Sequence, residues 1–167
     1  MVENRIYLVG FMGAGKTTLG RQLAREFKCK FHDTDEIILR DHGPIASIFS
    51  SKGEGHFRQI ERTVVRSILE PPFIMATGGG TACFHDNIHF MKEMGLVVWL
   101  KISEELLLYR LKKDPNILQR PKVKTMKKED LLKLYQQRLE FYQQAHIIHD
   151  AMDQTDTLIS KIKNFKR

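Results

Sequence analysis

Gly10, Gly15, Lys16 and Thr17 occupy the fixed positions of the pattern G-x-x-x-x-G-K-[ST], in the stretch GFMGAGKTT that follows the apolar run RIYLV. Those residue types at that spacing bind phosphate. Successive backbone N–H groups curl around the anion, the lysine adds a cation, and the following helix turns its positive end toward the same point. Carboxylates come next. The stretch DTD sets Asp33 and Asp35 two residues apart at the end of an expected strand, where both would share a face. One acid can then sit near a divalent cation and the other near an acceptor hydroxyl, or Asp35 can simply cap the helix read over EIILR.

Three later stretches carry candidate cations and a close-approach site. In GEGHFRQIE, Arg58 is flanked by Glu54 and Glu61 at helical spacing. That is either a surface ion-pair ladder worth tenths of a kcal/mol or a guanidinium held ready for an anionic substrate. Phe57 beside it reads as core or pocket wall. The run FIMATGGG ends a buried strand in Gly78, Gly79 and Gly80, where other nucleotide-binding proteins with this loop carry a metal-binding aspartate. Three glycines let a backbone come close to a ligand. LQRPKVK places Arg120 in a basic, proline-bearing loop, which is either a lid over transferring phosphate or a solvated segment. Arg138, in YQQRLEFY, reads as a surface charge on a helix. Cys83, His85 and His89 lie close together, but no fourth zinc ligand is evident beside them.

The elements that must position these groups alternate. RIYLV and LVVWLK are dense β-rich runs, as strands covered on both faces should be. KTTLGRQLAREF carries Leu19, Leu23 and Phe27 at helical spacing. KFHDTD reads as a short strand, and IASIFSSKGEGHFRQIERTVVRSIL as two helices broken near Gly53 and Gly55. DNIHFMKEMG is a helix with a glycine stop, EELLLYRL and EDLLKLYQQRLEFYQQAH are helices, IIHDA is a last strand and TDTLISKIKNFKR a closing helix. Strands alternating with helices predict a mostly parallel, doubly wound α/β sheet.

Composition narrows the function classes. The chain has 167 residues, 42% hydrophobic and 28% charged, and reads as one domain over 1–167. No apolar run approaches the roughly 20 residues of a membrane span. The start MVENRIYLVG has no signal-peptide layout, and Cys29 and Cys83 show no paired spacing, so free thiols and a cytoplasmic location are expected. A formal charge of +7 favours anionic partners. No nucleic-acid reader module accompanies it, so small phosphorylated or carboxylated ligands are expected rather than nucleic acid or membrane.

The order of glycine loop, DTD, GEGHFRQIE, TGGG, RP and a late helical arginine resembles the shikimate kinases over Ile6 to Asp150. That resemblance implies a three-layer α/β/α fold like the nucleoside monophosphate kinases, with a five-stranded parallel sheet in the order 2-3-1-4-5 and a mobile lid at about 112–127. It implies transfer of phosphate from ATP, with Mg²⁺, to the 3-hydroxyl of shikimate, on the route to chorismate and the aromatic amino acids. Gly13, Ala14, Gly15, Lys16, Thr17 and Thr18 would surround the ATP phosphates, and Thr17 and Asp33 would hold Mg²⁺. Arg110 would lie against adenine, and Arg120 would reach the phosphates from the lid. Asp35 would orient or deprotonate the acceptor hydroxyl. Arg58 and Arg138 would grip the shikimate carboxylate, with the Gly78–Gly80 strip and the Gly79 N–H beside them. A monomer acting on small molecules is expected. Two departures stand out: Lys122 and Val123 follow Arg120-Pro121 where the family has leucines, and HDAMDQTD lacks the family's proline.

Overall fold

In the computed structural model, which describes residues 5–113 and 126–166, the run RIYLV becomes the central strand β1 (Arg5–Val9). Its apolar side chains are buried from Ile6 onward because helices cover the sheet on both faces. β1 pairs in parallel with β3 (Phe73–Ala76) on one side and β4 (Leu96–Lys101) on the other. Outside these lie β2 (Lys30–Asp33) and β5 (Ile147–Asp150), so the sheet runs β2-β3-β1-β4-β5. The register Leu8↔Ala76 and Asp33↔Ala76 brings the C-terminal ends of β1, β2 and β3 to one edge. That edge lies where the chain order reverses, the place where open α/β sheets bind ligands.

The helices follow the expected order: α1 (Lys16–Glu26), α2 (Thr34–His42), α3 (Ile45–Ser67), α4 (Asn87–Met94), α5 (Glu104–Lys113), α6 (Lys128–Tyr142) and α7 (Thr155–Asn164). A short 3-10 turn, Thr81–Cys83, follows the TGGG stretch. α3 breaks at Gly53, whose φ of 80° and ψ of 171° leave the helix, so the expected division falls there. The main core lies along the sheet, and a second cluster of Ile38, Ile48, Phe57, Ile60 and Val64 joins α2 to α3. Among the described residues no helix is long and apolar enough to cross a membrane. Arg120, Lys122, Val123 and most of the expected lid lie outside the described residues.

One expected element ends early. β2 stops at Asp33 and α2 starts at Thr34, so Asp35 lies in a helical first turn and does not share a strand face with Asp33. The cap also falls on the other acid. Asp33 Oδ1 accepts the backbone N–H groups of Asp35 at 2.9 Å and Glu36 at 3.4 Å. A carboxylate satisfying two orphan amides of a helix start outweighs one more residue of edge strand.

Candidate active site

The glycine loop joins β1 to α1, with Gly15 in the left-handed region (φ 98°) as the N-cap. No side chain caps this helix and no acid occupies its first turn, which leaves its N–H groups and positive end facing the loop. Lys16 is 8% exposed, and its ammonium donates to the carbonyls of Gly10 at 2.7 Å and Phe11 at 2.8 Å. The loop thus holds its cation against its own backbone. Thr17 Oγ1 donates to Asp33 Oδ2 at 2.6 Å, so the hydroxyl after the lysine and the strand-end carboxylate meet. Arg110 Nη1 donates to the Gly13 carbonyl at 2.6 Å, bracing the loop from α5. These groups border a cavity of about 430 Å³ that Asp35 and Thr77 also line, which joins the phosphate loop to the acid expected at the acceptor.

Beyond Asp35 the TGGG stretch builds the other end. Thr77 is tied to β1 by hydrogen bonds from its N–H and hydroxyl to the Leu8 carbonyl at 3.1 and 3.0 Å. Gly78 donates its N–H to Thr34 Oγ1 at 2.8 Å. A Cβ on Gly78 would lie 2.8 Å from Glu61 Oε1 and 2.9 Å from Asp35 Oδ1. The absent side chain is what lets both carboxylates approach the strip. Gly79 presents its carbonyl to Arg138 Nη1 at 3.2 Å and to the Tyr142 hydroxyl. A Cβ on Gly80 would lie 2.7 Å from Arg58 Nη1. Consecutive glycines therefore bring two guanidinium groups, from α3 and α6, to adjacent peptides.

Neither arginine is a surface charge, since each is 5% exposed. This overturns the ladder reading of Arg58 and the surface reading of Arg138. Arg58 Nη1 donates to Glu61 Oε2 at 2.6 Å and Nη2 to Glu54 Oε1 at 2.9 Å, while its guanidinium lies 4.3 Å from the centre of the Phe84 ring. Burial works against its charge, but the Glu61 and Glu54 carboxylates outweigh this and push its pKa up. Burial pushes the Glu61 carboxyl up; Arg58 and the Thr81 hydroxyl, which donates to Oε1 at 2.5 Å, pull the other way. Arg138 stacks over Phe11 at 5.3 Å. The Cys83 thiol borders both arginines and is pushed up to about 11 by burial, so it stays protonated at neutral pH.

Sequence reasoning named Glu61 only as a flank of Arg58 and missed Thr34, Thr81 and Tyr142. A signal existed for the last. The buried residues of α6 are Leu131, Tyr135, Arg138 and Tyr142, at helical spacing, so Arg138 stands in the apolar stripe. Arg58 and Glu61 stand likewise beside Phe57, Ile60, Val64 and Val65 in α3. Charges on a buried stripe are expensive unless paired, and this marks them for a task.

A parallel sheet in this order, with a lysine-bearing glycine loop after β1 and a cavity running from that loop to Asp35 and Thr77, defines a P-loop kinase of the nucleoside monophosphate kinase type. The profile of the shikimate kinase family matches residues 12–166. The chain belongs to that family. It is 40% identical to the shikimate kinase of Bacteroides fragilis over 153 residues, covering 88% of this chain and 84% of that protein. To the shikimate kinase of a Sulfurihydrogenibium species it is 38% identical, covering 95% and 97%. The structure of the Acinetobacter baumannii shikimate kinase in complex with shikimate superposes with a TM-score of 0.86 at 35% identity, covering 98% of this chain and 96% of that one.

Proposed function

We propose that the protein transfers the terminal phosphoryl group of ATP to the 3-hydroxyl of shikimate, a step toward chorismate and the aromatic amino acids. The observation that carries this reading is the pair Arg58 and Arg138, both buried and set on adjacent glycine peptides of a strip that also packs against Asp35 and the phosphate loop. A compact acid with a hydroxyl some ångströms from its carboxylate suits that span. A nucleotide acceptor would call for a base pocket instead.

The roles follow from placement. Residues Gly13 to Thr18 surround the ATP phosphates with backbone N–H groups, and Lys16 leaves its loop carbonyls for the transferring group. Arg58 and Arg138 hold the acceptor carboxylate by charge-assisted hydrogen bonds, and the strip Gly78, Gly79 and Gly80 lies beside it with the Gly79 N–H as donor. Asp35 orients the attacking hydroxyl and takes its proton. Arg110 braces the loop, and Arg120, outside the described residues, adds charge at the phosphates. Thr17 and Asp33 offer a hydroxyl and a carboxylate oxygen 2.6 Å apart at the loop, hard donors that fit Mg²⁺. When bound there, Mg²⁺ supplies charge neutralisation on the phosphate oxygens. Catalysis by positioning and charge needs no covalent intermediate, and we infer that the protein acts on small molecules as a cytoplasmic monomer.

A coupled ADP-release assay with shikimate, quinate, gluconate and nucleoside monophosphates tests the reading. Turnover with shikimate far above the others is expected. Equal turnover of gluconate or a nucleotide would overturn it.

A further inference from the structure

The proposed reaction gives Tyr142 no task, yet its side chain is fully buried and its hydroxyl donates to the Gly79 carbonyl. Arg138 Nη1 donates to the same oxygen at 3.2 Å. A carbonyl oxygen has two lone pairs, so this one is filled by two donors. Tyr142 follows Arg138 by four residues, one turn along the same face of α6. Its ring is fixed from behind by Trp99 of β4, with centroids 6.0 Å apart. On the other side the strip is close-packed on the glycine loop, where a Gly79 Cβ would lie 3.0 Å from the Met12 nitrogen. The Gly79 residue is therefore clamped between the phosphate loop and one tyrosine hydroxyl. Burial raises the pKa of that hydroxyl, so it remains a donor throughout the working pH range.

We infer that Tyr142 is a positioning residue for the acceptor site: its hydroxyl pins the Gly79 carbonyl and so sets the place of the Arg138 guanidinium. The physical reason is competition for one acceptor. A buried carbonyl left short of donors draws in the nearest one. Without the hydroxyl, that donor is Arg138, which would slide from its longer contact toward the backbone and away from a substrate carboxylate. With the hydroxyl in place, the remaining guanidinium N–H groups stay directed at the substrate. This inference rests on the reading that Gly79 and Arg138 hold the acceptor's carboxylate.

The test is Tyr142→Phe in the full chain, which keeps the ring and removes only the donor. Shikimate KM should rise roughly three- to tenfold, the effect of one neutral hydrogen bond, with ATP affinity measured without shikimate unchanged. In an Arg138→Ala background the same substitution should change shikimate KM less than about twofold, because the group it positions is gone. Trp99→Phe, which loosens the ring's packing and leaves the hydroxyl, serves as the stability control and should leave shikimate KM in place. An unchanged KM in Tyr142→Phe, an equal effect in both backgrounds, or a KM rise in the Trp99 control that tracks lost thermal stability would each overturn the inference. Wild-type turnover of shikimate in the same experiment separates this failure from failure of the proposed function.

Discussion

Gly80→Ala adds one methyl group to the wall of the proposed acceptor site, and the three atoms nearest to it all belong to Arg58. The backbone tolerates it, since Gly80 has φ −104° and ψ −12°, an ordinary right-handed conformation. The difficulty is the neighbour. The new Cβ would lie 2.7 Å from Arg58 Nη1, 2.9 Å from Nη2 and 3.0 Å from Cζ, where ordinary contact begins at 3.4 Å. The guanidinium must therefore retreat by about 0.7 Å. A solvent-exposed arginine would do so at small cost. Arg58 is held by Glu61 at 2.6 Å, by Glu54 at 2.9 Å and over the Phe84 ring at 4.3 Å, so retreat strains contacts on every side.

Overpacking of this kind costs about 1–3 kcal/mol of stability. The displaced guanidinium also loses alignment with the substrate carboxylate, where charge-assisted bonds contribute about 1.5–3 kcal/mol. Shikimate KM should therefore rise by about tenfold to a hundredfold, while ATP affinity in the absence of shikimate stays within about twofold. The measurements are ADP release against shikimate concentration, nucleotide binding by calorimetry, and Tm. In an Arg58→Ala background, itself destabilised because buried Glu61 loses its cation, Gly80→Ala should cost little further stability and leave KM unrestored, because the clash and the grip involve the same side chain. Wild-type shikimate KM in Gly80→Ala, or a double variant whose stability losses simply add, would refute the reasoning.

Lys16→Met should lower turnover about a hundredfold to a thousandfold, the loss of one preorganised charge contact in the transition state; a folded variant with near wild-type turnover would remove the lysine from the mechanism. Asp33→Asn should raise the Mg²⁺ concentration needed for activity with little change in stability, since the amide oxygen can still cap α2 while the charged ligand is lost. Asp35→Asn should depress turnover even at saturating Mg²⁺, and rescue by added Mg²⁺ would show that the two roles are merged. The Cys83 thiol, with a folded pKa of about 11 against an ordinary 9.0, keeps its proton longer in the native state than in the unfolded one. Stability should then fall as pH rises from about 9 to about 11, by roughly 2–3 kcal/mol from this group. Denaturant unfolding at pH 8 and pH 10.5 should show a smaller loss in Cys83→Ala than in wild type, and equal losses would refute the assignment.

Local rules wrote most of the architecture into the chain. RIYLV, FIMA and LVVWLK are dense enough in β-branched and apolar residues to mark strands buried on both faces, and all three are. Gly53 broke the helical reading of α3 on paper and breaks the helix in space, because its φ of 80° is a conformation other residues resist. The DTD stretch was misread because a strand and a helix cap compete for the same residues, and alternation cannot tell which wins. The capping bonds from Asp35 and Glu36 decide it, and those depend on where α2 packs. Arg138 was misread for a different reason. Gln136, Gln137 and Glu140 around it are polar although Leu139 is not, and only the longer period through Leu131, Tyr135 and Tyr142 reveals the buried face. What buries it is the glycine strip after β3, far away in sequence.

The distribution of charge explains how one basic protein can keep two anionic ligands apart. At the loop, Lys16 and Arg110 stand with the N-terminus of α1, whose first turn carries no acid, so the potential there is positive. At the acceptor end, Arg58 and Arg138 are set against Glu54, Glu61 and Asp35, and the carboxylates outnumber the cations. A triphosphate entering that end would meet compensated charge and buried acids, whereas at the loop it meets cations and open amides. A single carboxylate needs less field and more direction. Glu61 and Glu54 supply the direction by fixing the Arg58 fork, and the Gly79 carbonyl does the same for Arg138. Under the proposed reaction, Glu54 and Glu61 would then serve selectivity twice, by orienting the fork for a carboxylate and by making the same end a poor place for phosphate.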